Sequence, residues 1–270
     1  MIPTGPDSAT TPAGVADLVA RIVGSEGDDT GRSRLLAKLA AQLATGLAAS
    51  AKAAGAGAVA SGRWLADLAI DVAPRIPVRD AATLTEHYNG LRGLDLAAAL
   101  INSASKVTAG LGAGVGAVMS VEWAAPPTLL TAPALLAAET LAQLAIEVKL
   151  VAELHEALGQ APAATGSRRM LAYLTAWARQ RGIDPLKGGG LPAALTGAAR
   201  RELRTRLVRR FAKGSVAMAP VAGAVVGGVL NQRETRKLGE KVLADLSRRT
   251  YQQEWPQPPA AEWTHGSRPR

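Results

Sequence analysis

The chain has 270 residues, no cysteine, a formal net charge of +9 and only 3% aromatic residues. Without thiols there are no disulfides, no thiolate catalysis and no cysteine-ligated zinc, and with so few aromatics the core must be filled by Ala, Leu and Val, which lets helix backbones approach closely. The positive charge and a sequence pI of about 10.3 favour anionic partners, either lipid or nucleic acid.

Most of the cations are Arg, the side chain suited to bidentate phosphate contacts; a coding bias toward Arg explains the same count without any partner. The mean hydropathy of +0.09 is high for a soluble chain and low for a polytopic membrane protein.

Residues 1–12 are rich in Pro, Ser, Thr and Gly and are predicted to form a disordered lead. They lack the basic-then-apolar pattern of a secretory signal, which predicts a cytoplasmic-side protein. Thr11 followed by Pro12 has the pattern of a helix cap and first-turn proline. Val15, Leu18, Val19 and Ile22 then share one helical face, and residues 25–31 break the run. Leu35, Leu36, Leu39, Leu43 and Leu47 recur at helical spacing in a pattern running from Ser33 to about Ala73. Glycines 55, 57 and 62 interrupt it, so one helix and two jointed helices both fit; Pro74 and Pro77 end it. Asp80 caps a short helix through His87, stopped by Asn89–Gly90. Residues 13–80 are accordingly read as N-terminal helices and 81–250 as the main helical domain.

That domain opens with a helix from Asp95 to Trp123 whose second half is dense in glycine, at 110, 112, 114 and 116. Pro126–Pro127 forces a turn, and a second long helix runs from Pro133 to Leu158 and stops at Gly159, completing an antiparallel hairpin. A linker at 161–167 leads to a helix from Arg168 to Arg181, closed by Gly182. After a flexible joint at 186–192, helices are predicted at 193–213, 215–230 and 232–249. The tail, 251–270, is predicted to be disordered; its repeated Glu-Trp pair suits either a docked peptide or a fold-back onto the domain. No alternating strand pattern occurs, so the fold class is all-α, a multi-helix bundle around a glycine-rich hairpin.

The motifs argue mainly by failing. Residues 112–117, GAGVGA, spell a dinucleotide turn, but they lie inside a helical run where that turn needs a preceding strand. Gly110/Gly114, Gly112/Gly116 and Gly223/Gly227 read instead as small-residue pairs that let a partner helix come close. His155–Glu156 is half of a zinc-binding HExxH, with Gly159 in the second histidine position. His87, His155 and His265 are the three histidines, and no two have ligand spacing. No cofactor, metal site or catalytic residue follows from these patterns. Glu139, Gln143 and Glu147 share one face of an otherwise apolar stretch. Such a carboxylate needs a cationic partner or a polar cavity, and Lys106 and an Arg from the C-terminal helices are the candidate partners.

The environment is written in the C-terminal third. Ser215–Leu230 is uncharged and glycine-rich. Arg200, Arg201, Arg204, Arg206, Arg209, Arg210 and Lys213 precede it; Arg233, Arg236, Lys237 and Lys241 follow. Its length of about 24 Å at ~1.5 Å per residue falls short of a ~30 Å hydrocarbon core, which favours a buried core helix or a shallow, re-entrant hairpin over a true span. Leu203, Leu207 and Phe211 make an apolar stripe along the preceding basic run. That suits a helix lying on an anionic surface with its Arg stems along the apolar edge, though an ordinary solvated face fits too. With Phe211 as the one aromatic in this run, single-stranded nucleic acid lacks a row of stacking platforms.

Several of these features together resemble the EcsC family: the glycine-rich helix Gly110–Gly116, the Pro126–Pro127 turn, the helix from Glu139 to Gly159, and the run Pro220, Gly223, Gly227, Gly228, Asn231, Thr235 and Gly239. The resemblance covers about residues 85–245 and departs from the family at Trp123–Pro127, where a Pro-Gly-rich turn is usual. It implies a bacterial, all-helical, membrane-associated protein without an established activity, and carries over no catalytic residue. The leading expectation is therefore a non-enzymatic peripheral membrane protein on the cytoplasmic side. Helices 107–121 and 215–230 form its apolar centre, and Arg200–Lys213 and Arg233–Lys241 contact anionic lipid or a membrane protein. A soluble interaction module, as a homo-oligomer or a partner subunit, is the alternative, and an enzyme using Glu139 and Glu147 a third reading.

Overall fold

The computed structural model describes residues 12–25, 27–54, 63–122, 131–184, 190–197, 199 and 220–254, and among them the regular structure is entirely helical. The elements in order are α1 (Pro12–Gly24), α2 (Asp29–Ala54), α3 (Arg63–Val72), a 3-10 turn (Ala73–Arg75), α4 (Ala81–His87), α5 (Gly93–Glu122), α6 (Thr131–Ala157), α7 (Gly166–Gln180) and α8 (Pro220–Glu254). The predicted lead at 1–11, the Pro126–Pro127 turn, the arginine run 200–213 and the tail from 255 lie outside the described residues.

Local chemistry accounts for most boundaries. Pro12 opens α1, where its missing N–H costs nothing. Between α1 and α2, Gly27 adopts a left-handed φ of 83°. The Asp80 side chain accepts the Thr83 N–H at 2.8 Å and so caps α4. That bond holds the Asp80 carboxyl below its usual range. Asn89 and Gly90 both take positive φ, which stops α4. The Ser33–Ala73 pattern resolves into two helices, α2 and α3, with residues 55–62 between them outside the described set.

The centre of the bundle is α6. From Ala134 to His155 it is buried on every side except at Leu144, as expected of a helix that is apolar all round. Helices α1, α2, α3, α4, α5, α7 and α8 all pack on it. One continuous core joins Leu36, Leu39 and Leu43 of α2 and Leu65 and Leu68 of α3 to Leu141, Ala145 and Val148 of α6. The N-terminal helices thus share their core with the hairpin.

Glycine sets the second feature, the α5–α8 crossing. The two helices run antiparallel, with Ile101 against Gly239, Ala109 against Gly228 and Gly112 against Gly227. A Cβ on Gly112 would stand 2.5 Å from the Gly227 carbonyl oxygen, so the two backbones touch without side chains between them. Gly110 and Gly114 serve a different neighbour: they face Asp29, Arg32 and Ser33 of α2. The glycines of α5 therefore open two faces, one for each partner helix.

Two sequence expectations need correction. The predicted break between 215–230 and 232–249 is absent: α8 runs unbroken from Pro220 to Glu254, with Pro220 as its first residue and no helical Pro beyond it. The sequence predicts an irregular tail from Tyr251, yet Tyr251–Glu254 is the last turn of α8. Asn231, the residue between the two predicted helices, is a poor helix former, but it is buried and bonded to α6, and tertiary contact overrides the local preference.

Candidate functional site

Two arrangements concentrate polar chemistry. One is a ladder of acidic and amide side chains inside the bundle, carried by α6. The other is the exposed face of α8.

The ladder begins at Glu139, which is 1% exposed and accepts the Asn231 amide of α8 at 3.0 Å. Two turns on, Glu147 is equally buried and gathers donors from three helices. Gln143 Nε2 of α6 donates at 3.0 Å, Trp177 Nε1 of α7 at 2.9 Å and Thr235 Oγ1 of α8 at 3.3 Å. Arg181, just past α7, adds its Nε at 3.1 Å and an ion pair through Nη2. Farther along, Glu153 is gripped from both sides: Arg79 donates Nε at 2.8 Å and Nη2 at 3.0 Å, and Lys149 forms an ion pair one turn back. At the end of the helix Glu156 accepts the Tyr173 hydroxyl at 2.8 Å and lies 3.3 Å from Arg169.

This saturation decides what the ladder does. Both Glu147 oxygens are filled by donors, one of them cationic, so the side chain is tied in place. Buried carboxylates with such partners knit helices together, and breaking one costs more than an exposed pair is worth. The sequence reading that Glu139, Gln143 and Glu147 share a buried face and need partners matches this geometry. Lys106, one candidate partner for Glu139, is exposed on α5, and Asn231 donates to Glu139; the arginines of 200–213, the other candidates, lie outside the described residues. Trp177, Arg181 and Arg79 were not foreseen as partners. They lie 30, 34 and 74 residues from the carboxylates they bind, beyond any spacing a helix pattern reveals.

His155, the half-motif, points into the protein. Its Nδ1 donates to the Val151 carbonyl at 2.7 Å, and its ring meets Tyr173 edge-on. Burial holds its pKa below the ordinary histidine value, with Arg249 adding to that and Asp245 and Glu156 opposing it. Burial, with the bond to Glu156, pushes the Tyr173 phenol well up. Among the described residues no group of three His, Asp or Glu side chains is placed to hold a metal ion.

The second arrangement is on the surface. Arg233, Arg236 and Lys237 are exposed on α8. Val225, Val229 and Leu230, one to three turns earlier, are exposed as well. At ~100° per residue these six side chains fall within an arc of about 140° on one side of the helix. Arg236 Nη2 donates to Asn102 Oδ1 of α5 at 3.3 Å. Lys106, one helical turn past Asn102 on α5, is exposed as well. Lys241, exposed one turn beyond Lys237, donates to the Gln180 carbonyl of α7 at 2.8 Å. Of the basic residues singled out in the sequence, Arg233, Arg236 and Lys237 are thus gathered together, while Arg200, Arg201, Arg204, Arg206, Arg209, Arg210 and Lys213 lie outside the described residues.

The expected apolar centre made of 107–121 and 215–230 is only partly found. Leu111 and Val115 are buried, but the described part of the second segment turns Val225, Val229 and Leu230 outward, and α6 occupies the centre. No described helix is long and apolar enough to cross a membrane. No family model, curated protein or solved structure matches the chain.

Proposed function

We propose that this all-α bundle is a non-enzymatic, EcsC-like protein that associates peripherally with the cytoplasmic face of a membrane by binding anionic lipid. The observation that carries the reading is the exposure of Arg233, Arg236 and Lys237 on one side of α8. Cations near a negatively charged leaflet each add about 1 kcal/mol of attraction, and that attraction is screened by salt. On sequence grounds the same role extends to Arg200–Lys213. The EcsC resemblance supports the reading through the glycines and polar residues of the hairpin and α8, of which Gly112, Gly227, Gly228, Asn231, Thr235 and Gly239 all lie at helix–helix contacts.

Vesicle flotation tests it. The protein should float with anionic vesicles at low salt, stay behind with neutral ones, and be released as salt is raised. Protein left in the supernatant with anionic vesicles at low salt overturns the proposal. An interaction module that ignores lipid is the second reading. It is favoured by the Gly112–Gly227 contact, because there the small-residue pairs are used up within the chain. It calls for a monodisperse oligomer in light scattering whose size is indifferent to vesicles.

A further inference from the structure

The exposed face of α8 is not uniform along its length. Its first half carries Val225, Val229 and Leu230, with Val225 at 57% exposure. Its next turns carry Arg233, Arg236 and Lys237 with one carboxylate, Glu240, and Lys106 of α5, one turn past the Asn102 that Arg236 bonds, is exposed too. From Val225 to Lys237 the helix advances about 18 Å at ~1.5 Å per residue. A helix lying flat with an evenly amphipathic face would mix apolar and basic side chains around its circumference. Here they are separated along the axis.

The two halves also differ in what holds them. The basic half is anchored: Asn231 bonds to Glu139, Thr235 to Glu147, and Gly239 seats against Ile101. The first half meets α5 at the bare backbones of Gly112 and Gly227 and at Ala109 and Gly228, and it leaves its opposite side to solvent. The anchored half fixes the direction in which the apolar half projects. An 18 Å ruler with grease at one end and four cations at the other matches a bilayer surface, where acyl chains lie beneath a layer of phosphates.

We infer that α8 docks on an anionic bilayer end-on at a tilt, with Val225, Val229 and Leu230 entering the acyl boundary while Lys106, Arg233, Arg236 and Lys237 hold lipid phosphates. This rests on the membrane-binding reading above and adds to it an orientation and a division of labour. The two halves then respond differently to substitution. Losing the apolar side chains weakens binding to any bilayer that is already held electrostatically. Losing cations removes the preference for anionic lipid, about fivefold in partition per cation.

The test is depth measurement on vesicles of phosphatidylcholine and phosphatidylserine. The chain has no native cysteine, so Val225→Cys, Val229→Cys and Ala244→Cys each give a single labelling site on exposed α8 positions. A spin label at 225 or 229 should be relaxed by oxygen dissolved in the acyl chains. A label at 244 should be relaxed by a water-soluble nickel complex. The triple variant Arg233→Gln, Arg236→Gln, Lys237→Gln should lose about a hundredfold in partition to the anionic vesicles, with unchanged helical circular dichroism. Equal depth at 225 and 244, in protein that floats with anionic vesicles, overturns the tilted docking and leaves membrane binding standing. Protein that does not float at all overturns both. A triple variant that floats as well as the wild type removes the cations from the contact and overturns their assigned role.

Discussion

Replacing Gly227 by Ala tests the α5–α8 crossing at its tightest point. A Cβ there would lie 2.6 Å from the Gly112 carbonyl oxygen and 3.2 Å from its carbon. Ordinary contact begins at 3.4 Å, so the two helices would have to part by about 0.8 Å, the difference between 3.4 and 2.6 Å. Both obstacles are main chain, and no rotamer change can make room. Overpacking of this kind costs about 1–3 kcal/mol. The better helix propensity of Ala returns about 1 kcal/mol. The net is a destabilisation of up to about 2 kcal/mol, a fall in Tm of up to roughly 8 °C for a chain of this size. Gly46 in α2 is the control, since a Cβ there meets nothing within 4 Å. Gly46→Ala should stabilise by about 0.4–1 kcal/mol. Urea unfolding followed by circular dichroism reads both variants. The two substitutions should move the midpoint in opposite directions. If Gly227→Ala stabilises as Gly46→Ala does, the backbone contact is not there. Gly112→Ala would open the same gap, so the double variant should lose less than the sum of the singles.

Other perturbations address the ladder. Glu147→Ala removes the carboxylate that Arg181, Trp177 and Thr235 share and should cost about 3 kcal/mol in urea unfolding, with Glu147→Gln costing less because it keeps the shape and one acceptor oxygen. Arg79→Ala leaves Glu153 with Lys149 as its remaining described ion-pair partner and should cost about 2 kcal/mol by the same assay. His155 has a folded pKa below that of the unfolded chain, because burial disfavours its charged form. The unfolded state therefore binds more protons, and stability falls as pH drops below about 6.5 toward the folded value. His155→Gln should flatten that part of the stability–pH curve, and a curve unchanged by the substitution would refute the assignment.

The helices were largely legible because their signals are local. Pro12, Asp80, Asn89–Gly90, Gly159 and Gly182 mark ends that depend on a residue's own backbone preference, and the structure ends helices there. The spacing of Glu139, Gln143 and Glu147 showed a shared face for the same reason. The continuity of α8 was hidden. Asn231 is a poor helix former whose place is secured by an acceptor 92 residues away, and no local rule contains that bond. The glycines of α5 announced close packing, but not that alternate ones would serve α2 and α8. That division depends on which neighbour each face meets, a property of the assembled bundle.

The saturated acids of α6 have a consequence for how the protein is made. Thr235 lies 88 residues beyond Glu147, and Asn231 lies 92 beyond Glu139. At a synthesis rate of about 5–20 residues per second, the nascent chain waits roughly 4–18 s between the emergence of these acids and of their α8 partners. During that interval α6 has its greasy sides and carboxylates only partly covered. A stop codon placed before Asn231 would make that vulnerable state permanent, so quality-control proteases should clear such a fragment even though most of its helices are already encoded.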